Sequence, residues 1–296
     1  MPDSNHGRLR VALAQVETAF ADPASNVRKH LDFIRQARAA GADVLLFPEL
    51  SLAGHGAGTE TLRLALAAND PLIGELADAS GPMRTVFGFI EEAPGAQFHN
   101  AAAVVRDGRL EFLHRKINLA TYGRLEEGKH YAAGDRVATL ALEGRWRAGL
   151  LICADLWNPP LVHIAAARGA TLMLAPISSA VEAVGADFDN PGGWEVNLRF
   201  HAMTYGLPVA MANRVGREGD LTFWGGSRIL DAFGRTVAQA EGAGEQLVTG
   251  TVDYADVRRA RYLLPTLRDA NPRLLRDEFD RLVTGEPAWG KASWRA

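Results

Sequence analysis

Gly149-Leu150-Leu151-Ile152-Cys153-Ala154-Asp155 is an apolar run that closes on the only cysteine of a 296-residue chain. A run of this length and character reads as a buried strand. The stretch Pro159–Arg168 beyond it reads as a helix. The thiol therefore falls at a strand-to-helix turn, where backbone N–H groups would lower its pKa and could bind an oxyanion. Taken alone, the same residue is equally a small buried hydrophobe.

Two charged residues stand at comparable places. Val44-Leu45-Leu46-Phe47-Pro48 runs into Glu49. A carboxylate at the mouth of a buried strand is partly desolvated, which raises its pKa toward the range of a general base. The alternative is a loop acid at the surface or in a salt bridge. The strand Arg109–Arg115 ends at Lys116. Its ammonium could stabilise charge on a carbonyl oxygen, or it is a solvated strand-end lysine. Acyl transfer needs a nucleophile, a proton carrier and an oxyanion stabiliser in one small volume. Three strand ends of one core can supply that.

The rest of the chain fits around these strands. Residues 1–7 read as a flexible tail. Arg8–Gln15 is a strand, and Ala24–Ala40 is a helix with Val27, Leu31, Ile34 and Ala37 on one face. Ser25 or Asn26 caps it, and Gly41 ends it. Helical stretches follow near Thr59–Ala68 and Ile73–Ala79. Strands Thr85–Glu91, Asn100–Arg106 and Arg109–Arg115 come next, with Asp107-Gly108 as a hairpin turn. Arg136–Leu142 and Arg147–Ile152 flank Glu143-Gly144. Later elements are a strand at Thr171–Pro176, a helix at Glu195–Tyr205, a strand at Val209–Asn213, and a meander of Ser227–Asp231, Thr236–Ala240 and Gln246–Val252. From about residue 254 to 296 the pattern is a charged helical extension broken by Pro265 and Pro272. No repeat or Pro/Gly/Ser-rich linker divides residues 1–296, so one domain is expected. Its many hairpins favour a mixed two-sheet core covered by helices, an α+β class.

Phe47-Pro48-Glu49-Leu50, His114-Arg115-Lys116-Ile117-Asn118-Leu119 and Leu151-Ile152-Cys153-Ala154-Asp155 resemble the three signatures of the nitrilase superfamily of carbon–nitrogen hydrolases. The resemblance extends from Val11–Gln15 through Ala212–Gly216 and Gly225-Gly226-Ser227 to Asp231–Gly234. It implies a four-layer αββα sandwich that pairs into a homodimer, and a Glu-Lys-Cys triad without metal or other cofactor. Carried over by motif, Glu49 is the general base, Lys116 the oxyanion and positioning cation, and Cys153 the nucleophile of a thioester cycle. The backbone N–H of Ala154 joins Lys116 at the oxyanion. A second catalytic glutamate is implied seven residues before Gly134, at Glu127, with its neighbour Glu126 as the competing choice. Phe98-His99-Asn100 is similar to a turn that the family places before a strand and is read as structural.

The substrate is less legible. Nitrile-cleaving members commonly carry Trp-Glu after the nucleophile; Ala154-Asp155 looks more like the amidase branches. Leu156-Trp157-Asn158-Pro159-Pro160 lacks the basic residues that carbamoyl-amino-acid hydrolases place there, although Arg199 or Arg214 could approach from elsewhere. Cys153, Asp155 and Trp157 form a Cys-x-Asp-x-Trp pattern similar to glutaminase domains, so a free-standing glutaminase-like or ω-amidase-like enzyme is an alternative. The loop Ser178–Trp194 is acidic and could shape a pocket. In it Glu182, Asp187 and Asp189 either favour a cationic amine or are solvated. Ser178, Trp157 and Trp194 are candidate substrate contacts. Trp224 is a further aromatic that either lines the pocket or packs in the core.

A net charge of -3, with 47% hydrophobic and 23% charged residues, gives no reason to expect nucleic acid or an anionic membrane as partner. One cysteine excludes an intrachain disulfide and fits a reducing compartment. MPDSNHGRLR has no apolar segment of a secretory signal, and no run of about 18 apolar residues appears. A cytoplasmic amidase or carbamoyl-type amidohydrolase acting on a small amide and water is expected. A nitrilase on the same scaffold, a binding protein that lost catalysis and a thiol redox sensor are the alternatives.

Overall fold

The computed structural model describes residues 7–285. Fourteen strands occur in chain order among them. β1 (Arg8–Gln15), β2 (Val44–Leu46), β3 (Arg84–Ala93), β4 (Gln97–Arg106) and β5 (Arg109–Arg115) come first. β6 (Thr139–Ala141), β7 (Arg147–Leu150), β8 (Leu172–Ile177) and β9 (Val209–Asn213) follow. β10 (Val215–Glu218), β11 (Leu221–Trp224), β12 (Arg228–Leu230), β13 (Thr236–Gln239) and β14 (Gln246–Asp253) complete them. The helices are α1 (Pro23–Ala39), α2 (Thr61–Leu64), α3 (Pro71–Ser80), α4 (Pro159–Ala167), α5 (Asn190–Tyr205), α6 (Tyr254–Leu263) and α7 (Pro272–Thr284).

The strands form two six-stranded sheets, ordered β14-β1-β2-β3-β4-β5 and β13-β12-β9-β8-β7-β6. The central strands β1-β2-β3 and β7-β8-β9 run parallel, and antiparallel strands extend the edges, through hairpins at β3-β4-β5, β6-β7 and β12-β13 and through the distant pairings β14-β1 and β12-β9. Strands buried on both faces read as continuous apolar runs, as Val44–Leu46 and Leu172–Ile177 do. Alternation divides their side chains. Val11, Leu13, Val44, Leu46, Val86 and Val104 meet Leu150, Ile152, Leu172, Leu174 and Ala210 between the sheets. Ala12, Leu45, Phe87 and Ala103 face outward, under α1 and α3. Met173, Ala175 and Met211 face α4 and α5 on the other side. The result is the expected αββα sandwich.

Helix starts are written as Asx-Pro: Asp22-Pro23, Asp70-Pro71, Asn158-Pro159 and Asn271-Pro272. Proline suits the first helical turn because its missing N–H would be unpaired there. This corrects the expected cap of α1. Asp22, not Ser25 or Asn26, is the cap, and its Oδ1 accepts the Ser25 N–H at 3.0 Å. Asn26 is instead buried, donating to the carbonyls of Ala19 and Leu52. Three further expectations shift. Phe98-His99-Asn100 lies inside β4, because the reversal falls at Pro94–Ala96, where Gly95 and Ala96 take φ of 81° and 55°. The expected strand Arg136–Leu142 shrinks to β6. The helical reading of Thr59–Ala68 shrinks to a 3₁₀ turn at Ala57–Glu60 and the single turn α2. The hairpin β10–β11 was not anticipated.

The tail expected at residues 1–7 lies outside the described residues except for Gly7, whose carbonyl accepts the Tyr254 N–H. The expected C-terminal extension is present as α6 and α7; residues 286–296 lie outside the described residues. Among the described residues no helix is long and apolar enough to cross a membrane.

Candidate active site

Strand direction decides where the reactive groups meet. In the first sheet β2 and β5 both end at one edge, delivering Glu49 and Lys116; in the second, β7 and β8 deliver Cys153 and Ser178. The Lys116 Nζ donates to Glu49 Oε1 at 2.6 Å and lies 2.9 and 2.7 Å from the two oxygens of Glu127. Asn100 Nδ2 bridges the carboxylates, 2.8 Å from Glu49 Oε1 and 2.9 Å from Glu127 Oε1. The Ser178 N–H donates to Glu49 Oε2 at 3.0 Å, and the Ala120 N–H to Glu127 Oε2 at 2.7 Å. Glu49, Lys116 and Cys153 all line one cavity of about 180 Å³, small for a ligand site. The adjacent acids separate cleanly: Glu127 belongs to the cluster, whereas Glu126 sits at the surface on Lys129.

The backbone around each group is constrained. Cys153 adopts φ of 45° at the start of a 3₁₀ turn, Cys153–Trp157. A non-glycine residue is strained there, and the conformation persists because Asp155 over-determines it. Its wholly buried carboxylate accepts the N–H groups of Ile152, Ile117 and Asn118 at 3.0, 3.0 and 2.7 Å, and His114 Nε2 lies at 3.2 Å. One side chain thus ties the Cys153 turn to the residues just after Lys116. On the other side, Gly88 lets the Glu49 loop lie against β3. A Cβ at that position would sit 2.2 Å from the Leu50 nitrogen. His30 stacks on Phe47 at 3.9 Å and contacts Ser51 Oγ at 2.9 Å, holding the same loop from below.

Electrostatics pushes the two glutamates apart. Burial raises Glu49 above the usual carboxylate range, against the pull of Lys116. For Glu127, burial is outweighed by Lys116 and by the amides of Ala120 and Asn100, so its pKa falls. Burial alone would lower Lys116, but Glu127 and Glu49 hold it well above its ordinary value. The thiol departs from expectation. Burial, then Glu49, push Cys153 well up, and Lys116 and the Ser178 amide offset this only in part. Cys153 therefore rests as a neutral thiol in a cavity it shares with a carboxylate of raised proton affinity, a division suited to acid–base work.

Of the candidate substrate contacts, Trp157, Ser178 and Trp194 all line the cavity. Trp157 packs edge-on against Trp194 at 5.2 Å and Phe188 at 5.9 Å. Ala154 is buried directly after Cys153. The loop does shape the cavity, but its acids do not line it, which removes the ground for the cationic-amine alternative. Ala183, Val184 and Phe188 of that loop face the cavity, while Asp189 caps α5 and Glu182 accepts the Thr222 N–H. Asp187 does not line it either. Arg199 is tied to Glu195 and the Gly234 carbonyl, and Arg214 to Glu218, so neither reaches the cavity. Trp224 packs in the core below α5.

Sequence reasoning missed Asn100, the pinning role of Asp155, and two cavity residues, His55 and Tyr122. Asn100 had a signal. It falls in phase with Ala102 and Val104, which face the space between the sheets, and an amide in phase with an apolar face needs a polar partner. Tyr122 and His55 sit in irregular segments where no periodicity applies. Tyr122 is pushed up to about 12, by burial first and then by the nearby Cys153, and so stays a hydroxyl.

Residues 10–262 match the model of the carbon-nitrogen hydrolase family. The chain is 32% identical to a glutamine-dependent NAD(+) synthetase of Thermotoga maritima, over 98% of this chain and 52% of that protein. It therefore spans about half the length of that relative. It is 26% identical to a citrullinase of Francisella tularensis, over 92% of this chain and 98% of the other. A mutant amidase from Nesterenkonia sp. AN1, with the acetamide moiety of fluoroacetamide covalently added at its active-site cysteine, superposes with a TM-score of 0.78. There the identity is 26%, over 92% of this chain and 97% of the other.

Proposed function

This chain belongs to the carbon-nitrogen hydrolase family, and from that premise we propose that it hydrolyses the C–N bond of a small amide through a thioester on Cys153. The observation that carries the reading is the contact of Glu49 with Lys116 at 2.6 Å on the cavity that Cys153 lines. Glu49 takes the thiol proton as Sγ attacks the amide carbon, forming an S–C bond and an oxyanion. Lys116 and the Ala154 N–H stabilise that oxyanion. The protonated Glu49 passes its proton to the departing nitrogen, the C–N bond breaks, and ammonia or an amine leaves. Water, deprotonated by Glu49, then attacks the thioester and releases the acid and the thiol. Glu127 stays ionised, holds Lys116 in place and keeps it charged.

The covalent acetamide adduct at the cysteine of the Nesterenkonia amidase supports a thiol nucleophile here. Glutamine is a second reading, favoured by the similarity to a glutamine-dependent enzyme. Ammonia release across a panel of simple amides, carbamoyl amines, carbamoyl acids, glutamine and nitriles tests both. Release from amides but not nitriles is expected; hydrolysis of nitriles alone would overturn the amide reading.

The proposal includes a cytoplasmic homodimer. Val196, Phe200 and Met203 of α5 are exposed at spacings that place them on one helical face, as a surface covered by a second copy would have them. Sedimentation should give a dimer, and Phe200→Glu should give a monomer; a monomeric wild type would remove this part.

A further inference from the structure

Resting on that amide-hydrolase reading, we propose that His55 is the specificity-determining residue of this cavity, its Nε2 receiving an uncharged hydrogen-bonding group at the far end of the substrate. His55 lines the cavity with Cys153, Glu49 and Lys116, yet the acyl-transfer cycle does not use it. Its Nδ1 lies 3.0 Å from Ser178 Oγ, which leaves Nε2 without a protein partner among the described residues.

The ring is held by a dedicated support. Glu218 accepts the main-chain N–H of His55 at 3.1 Å and also that of Gly56. Arg214, itself wholly buried, pairs with Glu218 at 2.7 Å. The Arg214 guanidinium lies 4.1 Å from the centroid of the Phe223 ring, and the His55 ring meets Phe223 edge-on at 5.2 Å. A buried ion pair is costly to build; here its carboxylate fixes the two amides of the turn that presents His55. Burial lowers the imidazole to about 4 despite Glu218, so the ring is neutral near pH 7 and offers one donor and one acceptor.

The rest of the cavity says what the ring can read. Among the described lining residues the carboxylates and ammonium are Glu49, Glu127 and Lys116, which engage one another. A carboxylate on the substrate's tail would lose its water and meet a cluster already holding an acid in excess, and an ammonium would find both carboxylates already engaged by Lys116. An uncharged amide or hydroxyl would meet Nε2 and be satisfied, with Trp157, Phe188 and Trp194 packing along the methylenes between.

The test compares kcat/KM for glutaramide, which has an uncharged polar tail, with butyramide, which has none, and with glutaramate and 4-aminobutyramide, whose tails are charged. Wild type should favour glutaramide over both charged amides. In His55→Phe the glutaramide-to-butyramide ratio should fall about five- to tenfold, through KM, the size of one hydrogen bond. An unchanged ratio, whether both rates fall together or neither falls, would overturn the proposal and leave His55 as a support for Ser178 and Glu49. Preference of wild type for a charged amide would overturn it as well. A second measurement does not need the His55 variant to fold. In Cys153→Ala labelled with ¹⁵N-histidine, the Nε2 resonance of His55 should shift with glutaramide and not with butyramide; equal shifts, or none, would sink the idea. If wild type turned over no amide, the hydrolase reading would fail by itself, while the resonance would still report whether His55 contacts a polar tail.

Discussion

Two buried charge clusters lie close together in this molecule and behave differently. In the first, Arg214 and Glu218 balance each other in charge, although the buried Arg214 Nε has no hydrogen-bond partner among the described residues. Arg214 also donates to the Thr18 carbonyl at 2.9 Å, and Glu218 takes two backbone amides. In the second, one ammonium faces two carboxylates, so one acid is in excess. That excess is not shared evenly: Glu49 is pushed up and Glu127 down. A charge-balanced pair of this kind serves as scaffolding, because neither partner has a second charge to compete for it. A cluster with an acid in excess, opening on a cavity beside a thiol, has a carboxylate free to exchange a proton, as the proposed hydrolysis requires.

Substitutions that treat the clusters alike should therefore separate them. Glu49→Gln keeps the shape but removes the proton carrier; kcat/KM should fall about 10²–10⁴-fold with little change in melting temperature. A variant within tenfold of wild type would show that the excess acid has no chemical role. Arg214→Met should act the other way. Leaving Glu218 buried without its partner should cost about 3–5 kcal/mol of stability, measured by urea denaturation. A loss below about 1 kcal/mol would mean the pair is not the support inferred here.

His30 gives a third, pH-dependent contrast. Burial lowers it from 6.5 to about 4, so the folded chain resists protonating a ring that the unfolded chain protonates readily. Its contribution is complete above about pH 6.5 and is lost as pH falls toward 4, on the order of 3 kcal/mol in all. His30→Gln should flatten denaturation midpoints across that window; an unaltered slope would assign the acid sensitivity to other groups. The smallest effect is expected from the neighbour of the second glutamate. Glu126→Gln should leave both kcat/KM and melting temperature unchanged, whereas Glu127→Gln should lower kcat/KM. Equal effects would reverse the choice between them.

The sandwich and the reactive heads were legible because both are written in strand-length apolar runs with a polar residue at the end. Val44–Phe47 before Glu49 and Leu150–Ile152 before Cys153 carry that pattern openly. What was illegible came from groups whose meaning depends on partners distant in the chain. Asp155 looked like a mark of substrate branch, yet it is the pin joining the Cys153 turn to Ile117 and Asn118. Asn100 was placed at the junction of a turn and a strand and read as structural, because its partners Glu49, 51 residues earlier, and Glu127, 27 later, leave no local mark. The acids of the Ser178–Trp194 loop drew attention by charge, but burying the loop's apolar residues toward the cavity turned those acids to capping and to the β10–β11 hairpin. The thiol pKa was misjudged because a turn's N–H groups were weighed without the desolvation and the carboxylate that oppose them.

The most direct measurement is intact mass of the protein, with peptide mapping, during turnover of a simple amide by wild type and by Cys153→Ala. The account predicts an acyl adduct confined to Cys153 in wild type, formed more slowly when Glu49 is Gln because the neutral thiol then lacks a carboxylate to take its proton. It predicts neither adduct nor ammonia from Cys153→Ala, with stability within about 1–2 kcal/mol of wild type. Sustained ammonia release by a folded Cys153→Ala protein would contradict it.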